Sequence, residues 1–391
     1  MAVTPPAKPA HTRRVWIVLL AVAALWGALA FGLEAFLNRV TPAALPAVSA
    51  DTRAFHDAQL VADLHADSLL FRRDLSQRAR FGHADFSRLR SGGVGLQVFA
   101  VVTRVPLGSN FDHTPADRLD LVRAYGCVTW APSCFAGPFR RLADQAERLA
   151  NSVARDSKAV WIRSREDLAR FEIRHREDPE TLGVLLAIEG AHALEGEVAN
   201  LERAHALGVR MIGLTHFFDN AYAGSAHGVD KNGLTELGRD TLIRMQQLGM
   251  VVDLAHLAPR AIPQVLAHAK NPVVVSHGGA YGVCPSRRTL SDDEIRAVAA
   301  NGGVIGIGFW PGAICGTTPA DVARSVRYVV ERVGDDHVAF GSDYDGATHV
   351  GFDATAFPSL TQALRDSGLS DASVRKVLGG NVLRVLRENL P

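Results

Sequence analysis

Six segments of the chain end an apolar run on a side chain that can bind a metal ion or carry a proton: DLHADSLL, LLAIEGAH, MIGLTHFF, VVDLAHLA, VVVSHGGA and AFGSDYDG. They contribute His65, Asp67, Glu189, His216, His256, His277 and Asp343. In His65-Ala66-Asp67 an imidazole and a carboxylate stand two residues apart, so both can project from the same side of an extended segment. His256 and His277 supply a second imidazole pair, and the two oxygens of Glu189 could bridge two ions. Gathering such groups without metal would be costly, because an unpaired buried carboxylate is strongly disfavoured. Two divalent cations against two ligand carboxylates would leave a net positive site, which lowers the pKa of a bridging water toward neutrality and makes hydroxide available. Taken singly, each residue has a plainer reading: a capping or rim histidine, a carboxylate capping the helix start at Ala191, or Asp343 and Asp345 as turn residues around Gly346. Their recurrence at corresponding run ends favours a shared binuclear site.

Positioning seven distant residues in one place requires a particular frame. Eight apolar, β-rich runs alternate with helical patterns: Leu60–His65, Val94–Val102, Gly183–Ile188, Val209–Thr215, Met250–Leu254, Pro272–Ser276, Val304–Phe309 and Val338–Gly341. The amphipathic stretches include 117–157, 198–207, 234–248, 259–268, 291–301 and 319–333, with a final helix near 371–389. Short continuous apolar strands between helices predict a parallel sheet covered on both faces. Eight of them predict an α/β fold of the (β/α)₈ barrel type, whose C-terminal strand ends converge on one mouth. A doubly wound open sheet is the alternative, since periodicity does not reveal closure.

Composition narrows the setting. With 42 Lys+Arg against 41 Asp+Glu in 391 residues and 47% hydrophobic residues, the chain is globular and carries no basic footprint for nucleic acid. Val15–Leu33 is an unbroken run of 19 uncharged, mostly apolar residues, nearly enough as a helix to cross a hydrocarbon core of roughly 30 Å. Lys8, Arg13 and Arg14 precede it. The expected plan is a cytoplasmic tail at 1–14, a transmembrane anchor at 15–37, a Pro/Ala-rich linker at 38–50 and a barrel domain at 51–391. The positive-inside rule then puts the body outside the cytoplasm as a single-pass membrane protein. A cleavable signal peptide ending near Val48 and Ala50 is the competing reading, although the apolar run exceeds the usual h-region. Cys127, Cys134, Cys284 and Cys315 permit two disulfides and three connectivities in an oxidising compartment. The short Cys127/Cys134 separation suggests a local clip, which would leave Cys284 with Cys315; four reduced cysteines are the alternative.

The blocks DLHADSL, AIEGAH, GLTHFFDNAYAGSAHG, GMVVDLAHL, VVVSHGGAYGVCPSRR and HVAFGSDYDG resemble, in order, those of the membrane (renal) dipeptidase family. The resemblance runs from about Leu60 to the final helix. It implies a barrel with two Zn²⁺ ions at its mouth. His65 and Asp67 would hold one ion, His256 and His277 the other, with Glu189 and a water or hydroxide bridging them. His216 would contact the substrate and steady the tetrahedral intermediate. Arg288, the second arginine of Ser286-Arg287-Arg288, would receive the dipeptide's C-terminal carboxylate, and Asp343 would move a proton from the nucleophile to the departing amine. Cys284 and Cys315 match positions disulfide-bonded in mammalian relatives, and homodimers are common in that family. Thr289 stands where many members have Asn, and Gly278-Gly279 where small hydroxylated residues are frequent.

These roles make chemical sense, because peptide hydrolysis needs a nucleophile, oxyanion stabilisation and a proton for a poor leaving group. An arginine fork suits a planar carboxylate. The sequence therefore predicts a membrane-anchored, zinc-dependent dipeptidase. Hydrolysis of another amide, lactam or ester at the same site, and a non-catalytic surface binding protein, are the alternatives. The segment Phe111–Arg141, with Trp130, is expected to overhang the pocket.

Overall fold

In the computed structural model, which describes residues 10–28, 32–129 and 131–391, eight parallel strands form a closed ring. They are β1 (Val61–Ala66), β2 (Val94–Val102), β3 (Leu182–Glu189), β4 (Val209–Gly213), β5 (Val251–Asp253), β6 (Val274–Ala280), β7 (Val304–Ile307) and β8 (Val338–Phe340). Each pairs with the next, and β8 pairs back onto β1. This closes the barrel that the eight apolar runs predict and excludes the open sheet. Two short strands lie outside the ring, Ala159–Trp161 on β3 and Thr289–Leu290 on β6.

The strands are buried along their whole length, as parallel strands covered on both faces must be. Alternate positions feed different apolar clusters. Leu96, Val98 and Ala100 pack with Leu185, Ala187 and the C-terminal Val385 and Leu386. Phe99 and Val101 join Leu186, Ile188 and Phe340 in the larger cluster. Strand register levels the C-terminal ends: Val102 lies opposite Glu189, Glu189 opposite Gly213, and Gly213 opposite Asp253. The rim that carries the predicted ligands is thus set by main-chain pairing.

The helices follow the amphipathic stretches with two differences. Residues 117–157 split into Leu121–Val128 and Pro138–Ala154, separated by a turn that holds the Cys127–Cys134 disulfide. Helices also form where no amphipathic stretch is predicted, at Arg165–Glu177, Phe357–Asp366, Ala50–Asp57 and Phe86–Ser91. The first of these is dominated by charged residues, which blurs its apolar stripe. Cys284 and Cys315 form the second disulfide, so both expected pairings are present.

The amino-terminal segment departs from its expectation. No helix among the described residues is long and apolar enough to cross a membrane. In the stretch expected to span, a first piece, Ala10–Gly27, and a second, Leu33–Leu37, are helical, and residues 29–31 lie outside the described residues. The second piece belongs to the body. Glu34 is buried and accepts an ion pair from Arg73 at 2.8 Å, and burial pushes its carboxyl up to about 7 against the pull of Arg73. A carboxylate held this way by the barrel cannot lie in hydrocarbon, so an apolar span ends before Glu34. Residues 38–50 also lie on the body: Val40 bridges Val350, and the amides of Thr41 and Ala43 donate to Val350 and Gly351 at 2.9 Å each. The first piece, by contrast, leaves Trp16, Ile17, Val18, Leu20 and Leu25 exposed.

Candidate metal centre and substrate pocket

Glu189 ends β3, and the next residue, Gly190, turns the chain with φ +92°. A Cβ there would come within 2.4 Å of the His192 ring and 3.2 Å of the His216 Cβ, so glycine is what leaves room for His192 and His216 at this turn. Four imidazoles face Glu189. Its Oε1 lies 2.8 Å from His256 Nε2, 3.3 Å from His277 Nε2 and 3.8 Å from His65 Nε2, while Oε2 lies 3.4 Å from His216 Nε2. Asp67 Oδ1 is 3.4 Å from His65 Nε2. Three overlapping groups could hold an ion: His65 with Glu189 and His277, Glu189 with His216 and His256, and His65 with Asp67 and Asp343. All seven residues singled out in the sequence therefore meet at one rim, each buried.

The donor set fits divalent cations. His256 Nε2 and His277 Nε2 stand 3.0 Å apart, a contact that two lone pairs would oppose unless a proton or a cation lies between them. His65 Nε2 and Asp67 Oδ1 are buried with no hydrogen-bond partner. Nitrogen and carboxylate donors of this mix suit zinc and its first-row neighbours.

Electrostatics of the protein alone point the same way. Burial, followed by the cations at Arg288 and neighbouring histidines, holds His256 well below the usual imidazole range; His277 is lowered by burial and by His65. Burial lowers His216 as well, against the pull of Glu189. On His65 burial opposes charge, but Asp67 and Glu189 outweigh it and raise the imidazole to about 10. Burial raises Glu189, partly offset by His216, and pushes Asp343 well above the carboxylate range, with Asp67 adding repulsion. Carboxylates that resist ionising in a shared site ionise readily beside a dication.

A second layer, missed in the sequence reading, sets the rings. Asp253, the last residue of β5, accepts from the Ser276 amide at 2.8 Å and from Ser276 Oγ at 2.6 Å. The single hydroxyl proton of Ser276 is committed to that carboxylate, so Ser276 Oγ accepts from His277 Nδ1 at 2.9 Å. His277 is thereby fixed with its proton on Nδ1 and a free lone pair on Nε2, aimed at Glu189. Asp63, inside β1, accepts from the Ser342 amide and hydroxyl at 2.7 and 2.6 Å and from Gln97 at 2.9 Å. Charges inside otherwise apolar strands were the available signal. Replacing Asp253 by Asn or Ser276 by Ala should weaken metal affinity about 10- to 100-fold. Chelator competition would measure it, and an affinity equal to the parent's would show that the Asp253–Ser276 pair is merely structural.

Backbone conformation shapes the rim further. His256 and Asp343 are left-handed at φ +62° and +60°, a placement that costs a non-glycine residue roughly 1–3 kcal/mol. Asp343 faces the metal cluster. Asp345 turns away, accepting from the His83 amide at 2.6 Å and bonding Ser68 and Arg73, so it braces the loop after β1.

The cluster opens into a 510 Å³ cavity lined also by Val105, Phe111, Leu121, Phe217, Trp310 and Arg288. Phe111 and Leu121, from the segment expected to overhang the pocket, line this cavity; Trp130 lies outside the described residues. Phe111 stacks on Phe217 with ring centroids 6.2 Å apart, and its carbonyl accepts from His227 Nδ1 at 2.9 Å. The two adjacent arginines part company. Arg287 is exposed and pairs with Asp112 at 3.0 Å. Arg288 is buried over the Trp310 ring, 5.5 Å from its centroid, with Nη2 lacking any hydrogen-bond partner. Thr289 braces this turn, its one hydroxyl proton shared between the carbonyls of Cys284 and Ser286, 2.9 and 2.8 Å away. Gly279 permits the close approach of Ala313, whose carbonyl oxygen would meet a Cβ at 2.1 Å.

The family model described as Membrane dipeptidase (Peptidase family M19) matches residues 50–390. This chain belongs to the membrane dipeptidase family. It is a dipeptidase of that metallopeptidase family. The Dipeptidase aclJ of Aspergillus oryzae is 32% identical over 320 residues, covering 78% of this chain and 70% of that protein. Among solved structures, the probable dipeptidase PvdM from Pseudomonas aeruginosa superposes with a TM-score of 0.72 at 20% identity, covering 86% of this chain and 97% of that one. A metallo peptidase from Rhodobacter sphaeroides, liganded with a phosphinate mimic of the dipeptide L-Ala-D-Ala, gives 0.69 at 23%, covering 85% and 99%. Both structural likenesses bear on the barrel fold of this dipeptidase.

Proposed function

We propose that this dipeptidase is a zinc enzyme that cleaves free dipeptides, with His65, Asp67, Glu189, His256 and His277 holding two ions. The observation that carries the substrate reading is Arg288. Its guanidinium is buried at the cavity wall beside the ligand cluster, and among the described residues it has no ion pair. A guanidinium stays charged at any physiological pH, so the missing anion is supplied by the substrate, as a C-terminal carboxylate. That clamp places the scissile carbonyl a fixed distance from the cluster. Bound ions supply Lewis acidity and a water acidic enough to act near neutral pH. His216, on the Oε2 side of Glu189, donates toward the developing oxyanion, and Asp343 carries the proton to the leaving amine. Phe111, Phe217 and Trp310 exclude water and receive side chains.

Arg288→Ala should lower kcat/KM for a dipeptide about 30-fold or more, the effect of removing one partner of a buried charge pair. The same change should cost much less on the corresponding dipeptide amide, which carries no carboxylate. Equal losses on acid and amide would refute the clamp.

The exposed apolar helix after Arg13 and Arg14, together with two disulfides, supports attachment to a membrane with the barrel outside the cytoplasm. The full chain should then sediment with membranes and be protease-accessible from the outer side. A chain starting at residue 50 should be released, and a full-length protein found wholly in the cytosolic fraction would refute the attachment.

A further inference from the structure

A second cavity of 640 Å³ lies beside the catalytic one, and it contains none of the metal-cluster residues. Four arginines line it, Arg104, Arg118, Arg123 and Arg141, against one carboxylate, Asp120. Asp120 is already committed: its Oδ2 pairs with Arg141 Nη2 at 2.9 Å, and its Oδ1 accepts from the amides of Val122 and Arg123 at 3.0 and 3.3 Å. Among the described residues Arg104, Arg118 and Arg123 form no ion pair. Arg141 is only 6% exposed, and its Nε and Nη1 have no hydrogen-bond partner. Burying a cation this incompletely compensated is costly unless an anion comes from outside.

The cavity is floored by Gly137 and Pro138, the start of the 17-residue helix Pro138–Ala154. That helix start is already met by a carboxylate, Glu195 Oε1, which accepts from the Phe139 amide at 3.2 Å, so the pull on an outside anion comes from the arginines. Burial lowers the Arg141 guanidinium, with Asp120 and Glu195 pulling it up and Arg123 and Arg104 pushing it down. Phe135 is 86% exposed at the cavity edge, next to Cys134 of the clip, and it offers an apolar surface beside the cations.

We propose that this cavity is an anion site, distinct from the catalytic pocket, that takes a compact small molecule bearing a carboxylate or phosphate group. The site has a direct mechanical link to catalysis. Residues 105–107 and 119–121 pair as a short antiparallel ribbon, with Leu121 N donating to Val105 O at 2.8 Å and Leu107 N to Leu119 O at 2.7 Å. Val105 and Leu121 face the catalytic cavity, whereas Arg104 and Asp120 line the basic one. An anion drawn to Arg104, Arg123 and Arg141 therefore stiffens the wall against which the substrate packs.

The test is calorimetric titration of the metal-loaded full chain with succinate and, separately, inorganic phosphate, at constant ionic strength set with chloride. Saturable binding is expected for at least one of them; which one binds tells a carboxylate from a phosphate ligand. The exposed pair Arg118→Gln/Arg123→Gln should fold and hydrolyse dipeptide as the parent does, yet weaken that binding about tenfold or more. Arg288→Ala should leave it unchanged, which separates this site from the substrate clamp and its failure from failure of the clamp. No saturable binding of either anion, binding undiminished in the double variant, or binding lost in Arg288→Ala would each overturn the proposal.

Discussion

Glu189→Gln is expected to lose dipeptide hydrolysis by a factor on the order of 10³ or more, together with most of the bound metal. The substitution preserves shape and removes one negative charge. Its carboxylate is the one group within 2.8–3.8 Å of all four imidazole Nε2 atoms, so no neighbour can take over as the shared anion. An amide would also turn an NH₂ toward nitrogens whose lone pairs should bind cations. Metal analysis and turnover would be measured on the same preparation, with circular dichroism to show that the barrel is intact. Exhaustive chelation of the parent should mimic the variant and be reversed by added zinc, whereas excess zinc should not rescue Glu189→Gln. A variant that keeps full metal and parental turnover would remove Glu189 from the centre of the site.

Asp343→Asn should lower kcat about 10²- to 10⁴-fold, the usual worth of a positioned acid–base group, while leaving the metal content near that of the parent. Asp343 is buried at the cavity wall, close to His65 and Asp67, and its raised proton affinity suits a group that must hold a proton and then release it. If that proton goes to the leaving amine, an ester analogue of the dipeptide, whose alkoxide departs more easily, should suffer much less from the substitution. A kcat within threefold of the parent, or the same loss on amide and ester, would exclude the role.

Much of this was readable in the chain itself. The eight strands appear in the sequence because each is a short apolar run, and a strand buried on both faces must be apolar throughout. The rim residues were visible for the opposite reason: a His, Asp or Glu terminating such a run breaks the pattern. Asp253 and Asp63 broke it too. Their meaning depended on Ser276, on β6, and Ser342, just after β8, so no local reading could pair them. Arg287 and Arg288 were indistinguishable as neighbours, and only packing over Trp310 buries one while Asp112 holds the other at the surface. Residues 34–37 of the expected anchor belong to the body instead, because Glu34 has a partner 39 residues away in Arg73, a contact that hydropathy cannot see.

Residue types and their order determined the barrel, the identity of the chemical groups and the end of each strand at which they sit, since these follow from periodicity and from the preference of charge for strand ends. Tertiary structure decided which nitrogen of His277 is free, where His256 and Asp343 take left-handed backbone, how the ribbon of residues 105–107 and 119–121 divides two cavities, and why one arginine lacks a counter-ion. Those features depend on closing a ring of strands, which brings groups within hydrogen-bond reach across hundreds of residues, and contacts of that range leave no period in the sequence.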